Sequence, residues 1–194
     1  MAISNRLKNF LDGAKIRYSV TSHPVAYTAQ EIAAACHVRG RQLAKSVLVK
    51  TDRGLALAVL PAIYLIDLKK LKAALRAKKV SIAKESDIKA AFPDVEIGAM
   101  SPFGNLYQVA VIVDKALEGP GQIVFNGGTH KETVKCLFGD FANAVKPQSG
   151  AFALILKFKP GKKAKKKSKP AKKQAKKTAK KSSARTQLPK TKKR

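Results

Sequence analysis

The sequence predicts an α+β fold, in which helices flank a mixed, mostly antiparallel sheet. Segments with helical apolar spacing and segments with alternating apolar spacing follow one another along the chain. The clearest signal is a β-hairpin, because apolar runs at 44–50 and 55–60 flank residues 51–54, which supply the Asp and Gly that a tight reversal needs. A hairpin pairs its strands antiparallel, so it excludes a purely parallel βαβ arrangement.

The N-terminal part predicts a helix, a strand and a second helix. Apolar residues recur at helical spacing through the first dozen residues, and Gly13 closes that helix. Residues 16–20 alternate as a strand does. Thr28 and Glu31 have the spacing of a capping box, in which a hydroxyl and a carboxylate each satisfy a free backbone N–H. They predict a helix from about residue 29 to residue 36.

Further elements follow the hairpin. Asp67 and Ser86 are the predicted N-caps of two helices, with a short strand at 80–83 between them. Apolar segments then occur at 95–97, 106–113 and 123–125. Alternation over 134–138 favours a strand, with a helix as the alternative. The C-terminal part of this region predicts a short helix over 140–145 and a closing strand over 151–158.

Charge divides the chain into two parts. Its 194 residues include 40 Lys and Arg against 12 Asp and Glu, a formal net charge of +28. Of the basic residues, 18 lie in 159–194, where there is no acidic residue, so 1–158 keeps 22 basic and all 12 acidic residues. The segment 159–194 is predicted to be a disordered Lys-rich tail, because it has almost nothing to bury. Residues 1–158 have the length of a single domain.

Several classes of protein and site are excluded. The two cysteines do not support a disulfide framework and favour a reduced, cytoplasmic setting. No run of apolar residues is long enough for a signal peptide or a membrane span. P-loop, GxSxG, HExxH and CxxC motifs are absent. Two separated cysteines and three histidines do not predict a metal site, and no cofactor is expected.

Lys45 is the first candidate for chemistry. It lies within an apolar predicted strand, where an ammonium group must either reach solvent or meet a negatively charged partner. The alternative is an ordinary lysine at a strand end, with its stem packed and its head in water.

Two glycine-containing loops are the other candidates. In the loop 98–104, glycines let backbone N–H groups approach a ligand and Pro102 stiffens the chain, although a plain connecting turn is the alternative. Residues 126–130 read Asn-Gly-Gly-Thr-His directly after a predicted strand, which places His130 to line a pocket. A Gly-Gly turn with a surface histidine is the alternative there.

In chain order, these motifs resemble the YbaK family, the free-standing relatives of the editing domain inserted in bacterial prolyl-tRNA synthetase. The matching segments are His23-Pro24, the helix at 28–35, residues 43–49 around Lys45, Gly98 to Pro102, and Gly127 to His130. The resemblance covers about residues 1–158 and does not extend into the tail. It implies a mixed sheet curled toward a barrel, with helices around it.

The resemblance also implies an activity, that of a trans-editing aminoacyl-tRNA deacylase. The expected substrate is a mischarged tRNA, tRNA-Pro carrying a small amino acid such as Ala or Cys, and prolyl-tRNA synthetase is a candidate partner. Lys45 matches the essential lysine of the family. The implied substrate-binding residues are Ser46, Gly98, Ala99, Met100, Ser101, Pro102, Gly127, Gly128 and His130. Ser46 stands where some relatives carry Asn, which leaves the substrate subclass open.

The expected chemistry needs few groups. An aminoacyl ester is intrinsically labile, so a cation, backbone donors for a developing oxyanion and a placed water are enough. Lys45 is the candidate cation, the Gly98 loop is the candidate donor set, and the vicinal ribose hydroxyl of the substrate is the candidate activator of the water.

The tail is expected to bind polyanions through charge alone, since it contains no aromatic residue to stack on bases. In one interpretation it raises affinity for tRNA while the body supplies selectivity. In the other it is a solubilising or nucleoid-associated tail. The competing function is a non-enzymatic nucleic-acid-binding protein dominated by this histone-like tail.

Overall fold

The computed structural model of the protein describes residues 3–155. The predicted tail at 159–194 lies outside the described residues. In chain order the elements are α1 (Asn5–Gly13), β1 (Tyr18–Ser22), α2 (Ala29–Ala35), β2 (Ala44–Thr51), β3 (Gly54–Pro61), β4 (Leu65–Ile66), α3 (Leu68–Ala74), β5 (Val80–Ile82), α4 (Glu85–Ala91), β6 (Ala110–Asp114), β7 (Gln122–Asn126), β8 (Glu132–Leu137), α5 (Phe138–Val145), β9 (Gln148–Gly150) and β10 (Ala153–Leu154). No helix between residues 3 and 155 has the length and apolar character needed to cross a membrane.

The strands form three sheets, and the predicted α+β class is confirmed. The five-stranded sheet has the order β5-β2-β3-β6-β9 and is built on the predicted hairpin, in which β2 pairs antiparallel with β3. It is mixed, because β6 pairs parallel with both β3 and β9. The other two sheets, β1-β8-β7 and β10-β4, are antiparallel.

The five-stranded sheet and the sheet β1-β8-β7 adjoin at a parallel bridge between Leu43, just before β2, and Val124 in β7. The backbone N–H of Val124 donates to the carbonyl of Gln42 over 2.9 Å. The start of β2 is therefore held beside β7, which is where the candidate site lies.

Strand β3 is an almost continuous run of apolar residues, and the packing of the core gives the reason. Alternate residues of β3 join two different clusters, so both faces of the five-stranded sheet are covered. On one face Leu57 packs in a cluster with four phenylalanines, which come from α1, a loop, β7 and α5. They are Phe10, Phe103, Phe125 and Phe141. On the other face Leu60 packs with Leu71 of α3 and with Phe152.

Helix α4 differs from its predicted start. Ser86 was the predicted N-cap, which would start the helix at residue 87, but the helix begins two residues earlier, at Glu85, with Lys84 as its N-cap. The carboxylate of Asp87 accepts the backbone N–H of Lys84 over 3.1 Å. An acidic side chain in the first turn therefore satisfies this backbone donor, and Ser86 lies inside the helix.

The closing strand predicted over 151–158 is present in its described part only at Ala153–Leu154, which form β10. The chain just before this range forms β9, and the two short strands pair with different sheets. The buried carboxylate of Asp114 accepts the backbone N–H groups of Phe152 and Ala153, each over 2.6 Å. These bonds hold the turn between the two short strands. No local sequence signal predicted them.

Two smaller differences concern element starts. The apolar segment 106–113 begins in a 3₁₀ turn, Gly104–Tyr107, and becomes strand only at Ala110, because Gln108 adopts a left-handed conformation with φ 57°. The strand favoured over 134–138 is confirmed as β8, while the helix predicted from 140 begins at Phe138.

Candidate active site

Lys45 is the second residue of β2, opposite Leu60 of β3. Its side chain is partly buried, and no ion pair or hydrogen bond to its ammonium group occurs within residues 3–155. Burial lowers the pKa of Lys45 below the ordinary lysine value of 10.5. A partly buried cation without a counter-ion is a candidate for binding a negatively charged ligand group.

A small cavity of about 190 Å³ opens beside Lys45. This volume is below the ~300–1,000 Å³ of sites for drug-sized ligands. Five parts of the chain form its walls, namely the start of α2, strand β2, the turn after β3, the Gly98 loop and the end of β7. The lining residues are Tyr27, Ile32, Leu43, Ala44, Lys45, Ser46, Val47, Ala62, Gly98, Met100 and Asn126. A cavity with mainly apolar walls and one cation suits a small side chain attached to a charged or polar group.

Two polar atoms of the lining also lack partners. The hydroxyl oxygen of Ser46 and the side-chain carbonyl oxygen of Asn126 are buried, and neither has a hydrogen-bond partner among residues 3–155. A buried polar atom left unpaired costs free energy, which a ligand that supplies the missing bond recovers. The cavity therefore offers three polar contacts, from Lys45, Ser46 and Asn126.

The Gly98 loop contributes only part of its length to the cavity. Gly98 has φ +90°, a conformation that glycine adopts far more readily than other residues, and a Cβ added there would meet Cε1 of the His130 ring at 3.4 Å. Met100 lines the cavity as well. Three other residues predicted to bind substrate, Ala99, Ser101 and Pro102, are buried and do not line it.

His130 lies behind the cavity wall rather than in it. Its ring packs against that of Tyr27, with centroids 4.7 Å apart. Its Nε2 is 2.9 Å from the carbonyl oxygen of Ile97, and because a carbonyl can only accept, Nε2 carries the proton. His130 therefore supports Tyr27 and the Gly98 loop from behind.

The two glycines before it face the N-terminal segment. A Cβ on Gly127 would meet the side chain of Ile3 at 2.5 Å, and one on Gly128 would meet Ser4 at 3.0 Å. The backbone N–H of Ser4 donates to the carbonyl of Gly127 over 2.8 Å. Gly127 and Gly128, both predicted to bind substrate, are thus needed for close packing and do not line the cavity.

Glu96 joins the two glycine-containing loops. Its carboxylate accepts the backbone N–H of His130 over 2.7 Å, and its own N–H donates to the carbonyl of Gly128 over 2.9 Å. Its carbonyl accepts the N–H of Ala99 over 2.9 Å. The loops that the sequence singled out separately are therefore one hydrogen-bonded unit.

Tyr27 is the main lining residue that sequence reasoning missed. The residue is 73% exposed, and it lines the cavity. The predicted capping box of Thr28 and Glu31 is confirmed, and the Glu31 carboxylate also accepts the backbone N–H of Tyr27 over 3.1 Å. The only local signal was an aromatic residue directly before the capping box, because its contact with His130 spans over a hundred residues.

No metal centre is built from the described part of the chain, where no three His, Cys, Asp or Glu residues are grouped to hold an ion. The polar groups that the cavity lining offers to a ligand are the Lys45 ammonium group and the two unpaired oxygens of Ser46 and Asn126.

Solved structures share this fold at low sequence identity. One is a proposed trans-editing enzyme for prolyl tRNA synthetase, with 18% identity and a TM-score of 0.69 over 78% of this chain and 97% of that one. A hypothetical protein gives 14% identity and a TM-score of 0.71, over 77% and 100% of the two chains. A protein from a study of epitope backbone grafting by computational design on scaffold proteins gives 19% identity and a TM-score of 0.70, over 79% of this chain and 97% of that one. At such identities the likeness concerns the fold alone.

No curated protein matches the chain. The family model described as the aminoacyl-tRNA editing domain matches residues 23–143, a segment that holds every residue lining the cavity. The match spans more than half of the sequence and confirms the resemblance drawn from its motifs: this chain belongs to the aminoacyl-tRNA editing domain family.

Proposed function

We propose that the protein is a trans-editing aminoacyl-tRNA deacylase, which hydrolyses the ester between a wrongly attached amino acid and the terminal adenosine of tRNA. One observation carries the proposal, namely the unpaired, partly buried Lys45 beside a cavity of about 190 Å³ in a chain of the editing family. The reaction belongs in the cytoplasm, where tRNA is charged.

The apolar walls and the polar groups of the cavity have different roles in this proposal. Ile32, Ala62 and Met100 are each less than 10% exposed and form an apolar wall for the amino-acid side chain. The Lys45 ammonium group binds the terminal phosphate or the ester carbonyl, where negative charge is present or develops. Ser46 and Asn126 orient the polar part of the substrate.

The hydrolytic step needs no further co-reactant. A water oxygen forms a bond to the ester carbonyl carbon, the bond from that carbon to the ribose oxygen breaks, and the ribose oxygen takes a proton. The vicinal ribose hydroxyl is positioned by the substrate itself to orient the water. The products are the free amino acid and uncharged tRNA.

Tyr27 is placed to hold the terminal nucleotide. One side of its ring packs on His130, and the residue as a whole is still 73% exposed. An exposed aromatic face stacks on a nucleic-acid base with about 1–3 kcal/mol. Tyr27 would thus bind the adenine while the cavity takes the amino acid.

The substrate we propose is tRNA-Pro carrying a small amino acid such as Ala or Cys. A synthetase pocket separates amino acids that differ by one methylene only about 10–200-fold, so a second, smaller site has a role in removing errors. The small cavity and the fold shared with a proposed trans-editing enzyme for prolyl tRNA synthetase support this choice. Prolyl-tRNA synthetase is the partner that would release such tRNA, and the Lys-rich tail would raise tRNA affinity.

The test is a deacylation screen with tRNA-Pro charged with Ala, Cys, Ser or Pro. Wild type should clear one or more of the small amino acids and spare Pro, and Lys45→Ala should lower kcat/KM about 100-fold or more. The matched control is Lys50→Ala, because Lys50 lies in the same strand with its ammonium group exposed beside Asp87. Equal activity of wild type and Lys45→Ala would refute the assignment of Lys45.

A second candidate function is supported by the 18 basic residues of 159–194. A non-enzymatic nucleic-acid-binding protein would clear none of the four charged tRNAs and would bind DNA and tRNA equally well through charge. The same screen, run beside a binding comparison, separates the two functions.

A further inference from the structure

A second concave surface lies at the other end of the three-stranded sheet. It is an open groove of about 670 Å³, which we call the basic groove. Its lining comes from the turn after α1 and from β1, β7, β8 and α5. The lining residues are Lys15, Arg17, Tyr18, Ser19, Gln122, Lys135, Cys136, Leu137 and Asp140.

The basic groove carries an excess of free positive charge. Lys15, Arg17 and Lys135 are exposed, and none of them takes part in an ion pair among the described residues. Asp140 is the one carboxylate of the lining. The nearby Asp12 accepts the Tyr18 hydroxyl and is paired with Lys8, so it does not offset the groove.

The basic groove and the cavity lie along one strand. Gln122 at the start of β7 lines the groove, and Asn126 at its end lines the cavity. Four strand residues span about 13 Å. The segment 39–43 meets β7 at the Leu43–Val124 bridge, and it carries the exposed Arg39 and Arg41. Two further exposed cations therefore lie on the segment that joins β7 at this bridge.

We propose that the basic groove binds backbone phosphates of the tRNA whose 3′ end enters the cavity. The inference rests on the proposed function, because that function places the 3′ end at Lys45. Exposed, unpaired lysine and arginine side chains in an open groove fit a phosphodiester chain, whose binding is driven by release of its counter-ions. A protein partner would favour a groove with a larger apolar centre and less charge.

The first test uses the full chain and uncharged tRNA. Arg17→Gln combined with Lys135→Gln should weaken tRNA binding about tenfold at low salt and lower the slope of log K against log salt by about two. The control pair, Lys69→Gln with Lys72→Gln, removes the same charge from exposed positions of α3. Equal effects of the two pairs would mean that only overall charge matters and would overturn the proposal.

A second readout is independent of the tail. Lysine side chains of the full chain are acylated with and without uncharged tRNA, and protection is read by mass spectrometry. Lys15 and Lys135 should be protected, whereas Lys69 and Lys72 should not. Lack of protection at Lys15 and Lys135 would refute the groove as a tRNA site.

These tests separate the groove from the enzyme. Uncharged tRNA is not a substrate, so protection in the groove does not require deacylation. The groove variant should also hydrolyse a minimal aminoacyl-adenosine at the wild-type rate, because that substrate has no phosphates to reach the groove. If Lys15 and Lys135 are protected but no charged tRNA is deacylated, the groove would stand as a tRNA-binding site and the proposed deacylase function would be refuted.

Discussion

The cavity at Lys45 and the basic groove both present cations, but in opposite ways. The cavity holds one ammonium group, partly buried and with its pKa lowered by burial. The basic groove holds three exposed cations in solvent. A charge removed from water interacts strongly with a single partner, whereas exposed charges each contribute little and are screened by salt. Under the proposed function, chemistry would therefore depend on one residue of this molecule, and tRNA affinity on the sum of many.

The sharpest test of the cavity is Gly98→Ala. Alanine at φ +90° is strained, so the loop should shift and kcat/KM should fall about 100-fold. Steady-state deacylation measures the loss.

The matched control for that loop is Gly54→Ala in the hairpin turn. Gly54 has φ +117° and no atom within 4 Å of an added Cβ, so it carries similar backbone strain far from the cavity. Gly54→Ala should lower Tm and keep deacylation near wild type. Equal activity losses in both variants would mean that the Gly98 effect is only one of stability.

Tyr27→Ala should have the next largest effect. Loss of the stacking face should lower kcat/KM about tenfold for charged tRNA and for aminoacyl-adenosine alike, since both carry the terminal adenine. Tyr27→Phe keeps the ring and should stay within about twofold of wild type. A Phe variant as impaired as the Ala variant would show that the hydroxyl, not the ring, matters.

The smallest expected effect concerns the pH dependence of deacylation. Because burial lowers the pKa of Lys45 below 10.5, its ammonium group loses its proton at a lower pH than an ordinary lysine. Activity should decline as pH rises through that lowered pKa, and Lys45→Arg should remove this alkaline limb while keeping the cation. The measurement is kcat/KM against pH with a minimal substrate, whose binding does not involve the basic groove.

The same pKa shift has a consequence for stability, with a defined sign. A lowered lysine pKa means that the charged form is disfavoured in the folded protein, at every pH below the folded value. Lys45→Met should therefore raise Tm at pH 7, and the gain should shrink as pH rises toward and above 10.5, where lysine is neutral in both states. A gain of equal size at both ends of this range would contradict the burial of an unpaired charge.

Much of the fold was predictable because its signals are local. The hairpin of β2 and β3 and the capping box of α2 depend on residues within a few positions of one another. Lys45 stood out for the same reason, as a charge inside an apolar strand. The turn between β9 and β10 was not predictable, since it depends on the carboxylate of Asp114, which lies 38 residues before Phe152.

The candidate site shows the same difference between local signals, which could be predicted, and contacts between distant residues, which could not. Gly98, Met100 and Ser46 were predicted to bind substrate and line the cavity, while Tyr27 was missed because His130, the residue its ring packs on, is distant in sequence. The basic groove was hidden for the same reason. Its cations come from the turn after α1, from the chain entering β1 and from β8, and only the pairing of β1 with β8 brings them together.

Glu96 gives the site a property that matters for protein engineering. Its three hydrogen bonds hold the two loops through backbone groups and one carboxylate, whereas the apolar wall is formed by Ile32, Ala62 and Met100. The residue whose hydrogen bonds hold the loops and the residues that form the apolar wall are thus different. Under the proposed function, substitutions in the wall should change which amino acid fits without removing the hydrogen bonds of Glu96, and the cavity would then be a starting point for editing enzymes of altered selectivity.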